Sequence, residues 1–170
     1  MVINGNNFNK GNIEEPANIN KKKKIMEQYN VNGIGFSIHV SSMQTEGRYS
    51  LIEVVFPLNE EGGISLHRHS REDVLVYVME GNFLFRNGIE KISGKKGTVI
   101  KFEKDSAHSY MKIGREEEGR LLIIYTPAGF ESFFKEIESS HVYGRTNLVD
   151  HDPVMLQLLE KRYGWRLLFE

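Results

Sequence analysis

The chain has 170 residues, 22 Lys and Arg against 23 Asp and Glu, a net charge of -1 and no cysteine. This length suits one domain, which can bury roughly 70% of its unfolded surface without needing a metal or a disulfide to hold it together. The balanced charge provides no long-range field for nucleic acid or an anionic membrane, and the lack of thiols restricts any metal site to nitrogen and oxygen ligands.

The N-terminal segment, residues 1–32, is predicted to be a polar arm with one short helix. The helix would cover residues 17–28, because Pro16 is tolerated in a first helical turn and few breakers follow it. The segment lacks the apolar stretch of a signal peptide, and no run elsewhere is long enough to cross a bilayer. We therefore expect a cytoplasmic protein that binds neither membrane nor nucleic acid.

Residues 33–128 are predicted to form an antiparallel sandwich or barrel. Short β-type runs alternate there with Gly-containing turns, which is typical of such folds and not of alternating strands and helices. The predicted strands cover residues 35–40, 49–56, 65–69, 74–79, 82–86, 89–92, 98–102, 107–113 and 120–126.

Two of these strand predictions have a specific basis. Asn87-Gly88 lies between two apolar runs and predicts a hairpin with a type I′ turn, which needs positive φ at both central residues. The run 74–79 lacks alternation, which predicts burial on both faces. One face would point into the barrel, and the other would meet a second sheet, a helix or another subunit.

Residues 129–170 are predicted to be a helical segment packed on the barrel. A second helix in this segment is expected from Asp152-Pro153 to Gly164, with Asp as the N-cap and Pro at the first helical position. The first helix has an apolar stripe, which we interpret as a packing surface and not as a cofactor site. The stripe consists of Phe130, Phe133, Phe134 and Ile137.

Three histidines form the candidate site. His67 and His69 occupy alternate positions of a predicted strand, so their side chains share a face. His108 on a later strand can complete a set of three imidazole ligands. The remaining histidines are interpreted as structural or exposed: His39, His141 and His151.

The arrangement resembles the cupin family, in particular single-domain cupins similar to quercetin 2,3-dioxygenase. The first motif of that family is a Gly, His-x-His, a spacer of three or four residues, a Glu, six residues and a Gly. His67 and His69 match the paired histidines, and Gly81 matches the closing glycine. The position of the Glu holds Val74.

The second cupin motif is matched in part. It consists of a Gly, a Pro-x-Gly turn, a His and an Asn, and here Gly97 and His108 fall at the matching positions. Glu103 replaces the Pro, Asp105 the second Gly and Lys112 the Asn. The likeness nevertheless extends over most of the chain after the N-terminal arm.

This resemblance implies an all-β fold, the double-stranded β-helix or jelly-roll barrel, with C-terminal helices and a short N-terminal arm. It also implies that His67, His69 and His108 hold one divalent ion, such as Fe, Mn, Ni, Co or Zn. In quercetinase-like enzymes the carboxylate serves as a base toward the substrate hydroxyl. Val74 removes that group and leaves the ion its full charge, which should weaken metal binding and favour anionic chelating ligands.

Glu72 and Tyr110 are candidates for catalytic groups. Glu72 has the parity of Val74, so an early strand start would point it toward the barrel mouth, whereas Asp73 has the opposite parity. The simpler interpretation makes both of them solvated loop carboxylates. Tyr110 shares a face with His108 and either offers its phenol to a ligand or fills the barrel; packing is the simpler role.

Three functions follow from these observations. The leading hypothesis is a metal-binding cupin that oxidises a small organic substrate in the manner of quercetinase-type dioxygenases. The alternative is a non-catalytic cupin that binds or senses a small molecule at a degenerate metal site, and the third is a purely structural barrel that holds no metal. We also expect a homodimer, because the apolar run 74–79 and the C-terminal helices offer surfaces for one.

Overall fold

The computed structural model describes residues 26–141 and 153–169. The strands in chain order are β1 (Glu27–Val31), β2 (Ile34–Val40), β3 (Ser50–Phe56), β4 (Gly62–His69), β5 (Asp73–Glu80), β6 (Asn82–Asn87), β7 (Glu90–Gly94), β8 (Val99–Phe102), β9 (His108–Ile113), β10 (Gly119–Thr126) and β11 (Trp165–Leu167). The helices are α1 (Ser42–Thr45), α2 (Glu131–His141) and α3 (Pro153–Tyr163). The all-β fold with C-terminal helices is confirmed.

The strands form two antiparallel sheets with the core between them. A six-stranded sheet has the order β1-β2-β3-β10-β5-β8, and a five-stranded sheet has the order β11-β4-β9-β6-β7. Aromatic contacts join the sheets: Phe56 of β3 meets Phe83 of β6 at 5.4 Å, and Phe102 of β8 meets Phe85 of β6 at 6.4 Å between ring centroids. This arrangement buries one face of each sheet.

The six-stranded sheet begins earlier than the sequence analysis predicts. Glu27–Val31 forms β1, although these residues were assigned to the polar arm and partly to its helix. Asn32 and Gly33 turn the chain with φ values of 53° and 81°, and β1 then pairs with β2. Positive φ at both central residues is the type I′ geometry that an Asn-Gly pair favours. The rest of the predicted helix, up to residue 25, lies outside the described residues.

The hairpin between β6 and β7 is confirmed, but its turn differs from the predicted one. Asn87 pairs with Glu90, so the central residues are Gly88 and Ile89. Gly88 has a φ of 60°, whereas Asn87 and Ile89 do not have positive φ. A glycine with positive φ at the first central position is the pattern of a type II′ turn. The prediction of a type I′ turn is therefore wrong.

Strand β5 is buried on one face only. Val74 and its inward neighbours are buried, but Leu75 and Tyr77 are 37% and 40% exposed. No second sheet or helix within residues 26–141 and 153–169 covers this outer face. The prediction that a second sheet or a helix buries it is therefore wrong for the described part of the chain. The absence of alternation reflects the β propensity of large apolar residues on both faces. Another subunit as the cover stays a prediction.

The C-terminal segment supplies both helices and an additional strand. Helices α2 and α3 lie where the apolar spacing predicts them, and the expected N-cap Asp152 lies outside the described residues. Strand β11 was not predicted; it pairs with the edge of β4, with Trp165 opposite His69 and Leu167 opposite His67. Among the described helices, none is both long and apolar enough to cross a lipid bilayer.

Candidate metal centre

The three predicted histidine ligands lie together between the sheets. His67 and His69 point inward from β4, and His108 points inward from β9, where it is the direct partner of His67. One ligand nitrogen from each of the three lies within 4.8 Å of the other two. Two nitrogens bound to one ion at about 2.1 Å lie at most about 4.2 Å apart. Small side-chain adjustments therefore suffice to bring all three onto one divalent ion.

Hydrogen bonds orient two of the imidazole rings. The Nδ1 atom of His67 lies 2.7 Å from the carbonyl oxygen of Ser65, and that of His108 lies 3.0 Å from the carbonyl oxygen of Ser106. A carbonyl oxygen only accepts, so in each ring Nδ1 carries the proton and donates. Nε2 is then the nitrogen with a free lone pair, as a metal ligand requires.

Burial lowers the pKa of all three imidazoles. The pKa falls to about 3 for His69 and to about 4 for His108, and that of His67 lies well below the usual 6.5. Neighbouring imidazoles lower the pKa of His67 and His69 further, because like charges would repel. The rings are neutral near pH 7, which is the form that coordinates a metal.

Glu72 lies in the site and not in solvent. It is only 4% exposed, and its Oε2 atom lies 3.4 Å from Nδ1 of His69. Burial raises the pKa of this carboxyl to about 7, although the nearby Arg71 lowers it. The interpretation of Glu72 as a solvated loop carboxylate is therefore wrong, because the chain reaches β5 through a tight connection that turns this side chain inward.

Asp73 behaves as its opposite parity predicts. Its Oδ1 atom accepts a hydrogen bond from the backbone N–H of Lys104, and its Oδ2 atom lies 3.7 Å from Nζ of Lys101 on the outer face. Asp73 thus belongs to the surface, and Glu72 is the carboxylate of the candidate site.

Val74 occupies the position at which a cupin carboxylate ligand was expected. It is buried and pairs with Phe102 on one side and with Tyr125 on the other. The Phe102 ring stacks on His108 at 4.2 Å, and the Tyr125 ring lies 5.5 Å from that of His69. Directly opposed residues on one sheet face are neighbours. Position 74 therefore adjoins the histidine cluster, and an apolar side chain occupies it.

The turn before His108 has the left-handed backbone conformation that glycine favours, although another residue occupies the position. Asp105, at the position of the motif's second Gly, has a φ of 63°, and Asp tolerates this left-handed conformation better than most residues. The backbone N–H of Asp105 donates to the carbonyl oxygen of His69 at 2.7 Å. This bond joins the turn to the end of β4. The replacement of Gly by Asp at this position therefore does not prevent β4 and β9 from lying side by side.

Lys112 occupies the position of the motif's Asn and does not serve as a metal ligand. It is completely buried, and its Nζ atom donates to the carbonyl oxygens of Pro57 and Glu60 at 2.9 Å each. These bonds tie β9 to the connection between β3 and β4. Among the other histidines, His39 lies 2.8 Å from Glu53 on the outer face. The side chains of His141 and His151 lie outside the described part of the chain.

A cavity of about 80 Å³ adjoins His67 and His69. Tyr110, a sequence-predicted candidate, contributes to its wall together with Tyr125. The apolar stripe of α2 forms another part of the wall, so the residues interpreted as packing surface also enclose the cavity. The aromatic wall residues are Phe36, Phe130, Phe133, Phe134 and Trp165.

Sequence reasoning missed Trp165 and Tyr125 as site residues. Trp165 lies with its ring centroid 6.0 Å from that of His67, because β11 pairs with β4 across a gap of about a hundred residues in sequence. No local pattern predicts such a pairing. A signal for Tyr125 did exist: alternation along β10 gives Tyr125 the inward parity of Leu121 and Ile123.

Comparisons with known proteins identify the fold. The sequence matches no protein-family model, and no curated protein matches it. Among solved structures, KdgF from Halomonas sp. superposes with a TM-score of 0.53 and 20% identity over 62% of this chain and 90% of that one. A predicted oxalate decarboxylase from Thermotoga maritima gives 0.52 and 17% over 60% and 91%.

A third similar solved structure is itself described as a cupin. An RmlC-like cupin from Shewanella frigidimarina superposes with a TM-score of 0.50 and 16% identity, over 69% of this chain and 96% of that one. Identities this low establish the architecture and leave the activity open. The chain has the cupin fold, and its three inward histidines could hold a metal ion.

Proposed function

We propose that the protein holds one divalent transition-metal ion with His67, His69 and His108 and uses it to bind a small organic molecule in the adjoining cavity. The observation that carries this proposal is the convergence of three buried imidazoles, whose ligand nitrogens lie within 4.8 Å of one another. Such a donor set suits Fe, Mn, Ni, Co or Zn and not Mg or Ca, which prefer oxygen ligands.

Each part of the site has a defined role in this proposal. When bound, the ion supplies a Lewis acid that polarises an oxygen of the ligand. The backbone carbonyls of Ser65 and Ser106 fix the orientation of two histidine rings, and Glu72 lies beside the third. Outer partners of this kind position metal-binding imidazoles and increase their basicity. The aromatic wall keeps bulk water away from the ligand.

Oxidation of the bound molecule, as in quercetinase-type dioxygenases, is the more specific part of the proposal. Three protein ligands leave coordination positions for a substrate, and this open coordination supports the assignment. The dimensions of the cavity favour a substrate smaller than a flavonol. An engineered cavity of about 150 Å³ binds benzene, and the space here is about 80 Å³.

One observation favours a non-catalytic function as the second candidate. Val74 is buried where the resemblance places the carboxylate that acts as a base, so the quercetinase-type mechanism lacks its proton acceptor. A site without that group can still hold a ligand on the metal. In this case the protein binds or senses a small molecule without turnover.

Metal analysis of the protein purified without an affinity tag tests the proposal. We expect close to one equivalent of a transition metal in the parent protein and loss of that metal in a His67→Ala, His69→Ala variant whose circular dichroism is unchanged. Equal metal content in the two proteins would overturn the proposal. Oxygen uptake by the loaded protein with small aliphatic carboxylic substrates then separates the oxidising function from the binding function.

A further inference from the structure

Two phenol groups from opposite sheets meet in the cavity beside the histidines. Tyr110 belongs to β9 of the five-stranded sheet and Tyr125 to β10 of the six-stranded sheet, and each is 4% exposed. Neither hydroxyl group forms a hydrogen bond to another described residue, yet neither oxygen is fully buried, so both reach the open space of the cavity. Buried polar groups almost always have partners, because an unsatisfied one costs free energy. Both hydroxyl groups can therefore donate a hydrogen bond to a molecule inside the cavity.

Both phenols are hydrogen-bond donors under physiological conditions. Burial raises the pKa of Tyr110 above its usual value, and burial together with the nearby Tyr110 and Glu72 raises that of Tyr125. A neutral phenol offers one O–H group in a fixed direction. Few other lining residues can donate a hydrogen bond to a ligand, since most of them are apolar.

We propose that the cavity binds a small oxyanion, of the size of formate to pyruvate, with Tyr110 and Tyr125 donating hydrogen bonds to its oxygens. This inference rests on the proposed metal site and specifies the ligand class. The metal ion and the two phenols then contact the same anionic group from different sides.

Charge favours an anion over a neutral ligand. Three neutral imidazoles leave a divalent ion with its full positive charge, and this group of candidate ligands among the described residues includes no carboxylate to offset it. Hydrogen bonds to a charged acceptor are about twice as strong as those between neutral groups. Two O–H donors beside a cation are therefore complementary to a carboxylate.

Size restricts the rest of the ligand. The volume of about 80 Å³ is about half that of an engineered cavity of about 150 Å³ that binds benzene, so a carboxylate with a short aliphatic group fits more readily than an aromatic ring. Phe134 and Ile137 also line the cavity, and these apolar side chains suit a methyl group. A substituted benzoate would have to displace the stripe of α2.

The test uses acetate as the probe and Trp165 as the reporter. Trp165 is the only tryptophan of the chain and lines the cavity near His67. The Co²⁺-loaded protein is titrated with acetate and with benzoate, and binding is followed by tryptophan fluorescence and by calorimetry. We expect acetate to bind at least about tenfold more tightly than benzoate. Equal affinity for the two anions would overturn the size argument.

Conservative variants test whether the two phenols donate hydrogen bonds to acetate. Tyr110→Phe and Tyr125→Phe should each weaken acetate binding by at least about tenfold, the effect expected for loss of a hydrogen bond to a charged group. Their Co²⁺ affinity should stay within about threefold of the parent. Tyr77→Phe, on the outer face of β5, is the matched control and should change neither affinity.

The outcomes separate this inference from the proposed function. If Co²⁺ binds but acetate affinity is the same in the parent and both Phe variants, the phenols serve only ordered water and the inference is wrong. If Co²⁺ does not bind, the proposed metal site is wrong, and the acetate titration of the metal-free protein still decides whether the phenols bind an oxyanion. Should Tyr125→Phe fail to fold, Tyr110→Phe alone decides.

Discussion

The Nδ1 atom of His69 lies 3.4 Å from Oε2 of Glu72, and both side chains are almost completely buried. Neither atom forms a hydrogen bond within the described residues. The other two candidate ligands direct Nδ1 to backbone carbonyls, whereas Nδ1 of His69 faces the Glu72 carboxyl without a hydrogen bond. The same arrangement places a carboxyl group in a low-dielectric environment, which disfavours its ionised form.

We predict that Glu72→Gln stabilises the metal-free protein at high pH. Burial raises the folded-state pKa of Glu72 to about 7, above the usual 4.5, so the folded protein binds more protons than the unfolded chain between these values. Stability contributed by this group is present below pH 4.5 and is lost as the pH rises through 7. Gln keeps an acceptor for His69 and does not ionise. Chemical unfolding at pH 5 and pH 8, with chelator present, measures the effect.

The expected gain at pH 8 is on the order of 2 to 3 kcal/mol relative to pH 5, because each tenfold change in a protonation equilibrium corresponds to about 1.4 kcal/mol. Asp73→Asn is the control, since Asp73 lies on the surface beside Lys101. A gain for Glu72→Gln that is the same at both pH values would mean that the carboxyl is solvated.

We predict that His108→Ala removes most of the bound metal, whereas His39→Ala does not. His108 contributes one of three converging nitrogens, and a site with two neutral ligands binds a divalent ion far more weakly. His39 lies on the outer face, 2.8 Å from Glu53. Metal content after dialysis against a weak chelator measures the difference. Equal losses in the two variants would indicate that the metal is bound adventitiously.

The sequence predicts the parts of the site that depend on short spacing. The i, i+2 relation of His67 and His69 places them on one face of a strand wherever the strand begins, and both are indeed buried together. Glu72 could not be assigned in this way, because its direction depends on the length of the connection between β4 and β5. Trp165 could not be assigned either, since its position depends on a long-range pairing with His69.

The fold shows the same division between local and long-range information. Most strands of the barrel follow from the alternation of apolar residues and from glycine-containing turns. The turn at Asn32-Gly33 has the same dipeptide signal as Asn87-Gly88, but the polar residues before it do not predict a strand. Strand β1 gains its stability from pairing with β2 and from contact with α2, and neither contribution is visible in its own sequence.

We predict a homodimer through the outer face of the six-stranded sheet. Leu75 and Tyr77 of β5 lie there beside Val99 of β8, and all three are exposed in the single chain. A two-fold interface repeats one patch on both subunits, so a single charged substitution enters it twice. Tyr77→Lys should therefore shift the protein from dimer to monomer in sedimentation velocity experiments.

Ile89→Lys is the control for this prediction, because Ile89 is an exposed apolar residue at the tip of a hairpin in the other sheet. It should leave the sedimentation coefficient unchanged. A parent protein that sediments as a monomer at all concentrations, or an Ile89→Lys variant that dissociates as readily, would contradict the proposed interface.

We predict that Val74→Glu makes folding more dependent on metal. Val74 is buried between Phe102 and Tyr125, each of which contacts a candidate ligand, so a carboxylate at this position should project toward the ion. Without metal, a buried carboxyl lacks a compensating charge and destabilises the fold. With metal, a fourth anionic ligand increases the affinity, and binding to the folded form stabilises it by mass action.

Thermal unfolding with chelator and with added Mn, Fe, Ni or Zn measures both effects. In chelator the variant should unfold several degrees below the parent, and in saturating metal the difference should shrink or reverse. Val76→Glu is the matched control: it buries a carboxyl on the same face of β5, but its cross-strand neighbours are Ile123 and Ile100 in place of Tyr125 and Phe102. It should be destabilised without recovery in metal. If Val74→Glu recovers no more than Val76→Glu with any of these ions, position 74 does not face the metal, and the assignment of the missing carboxylate to this residue is wrong.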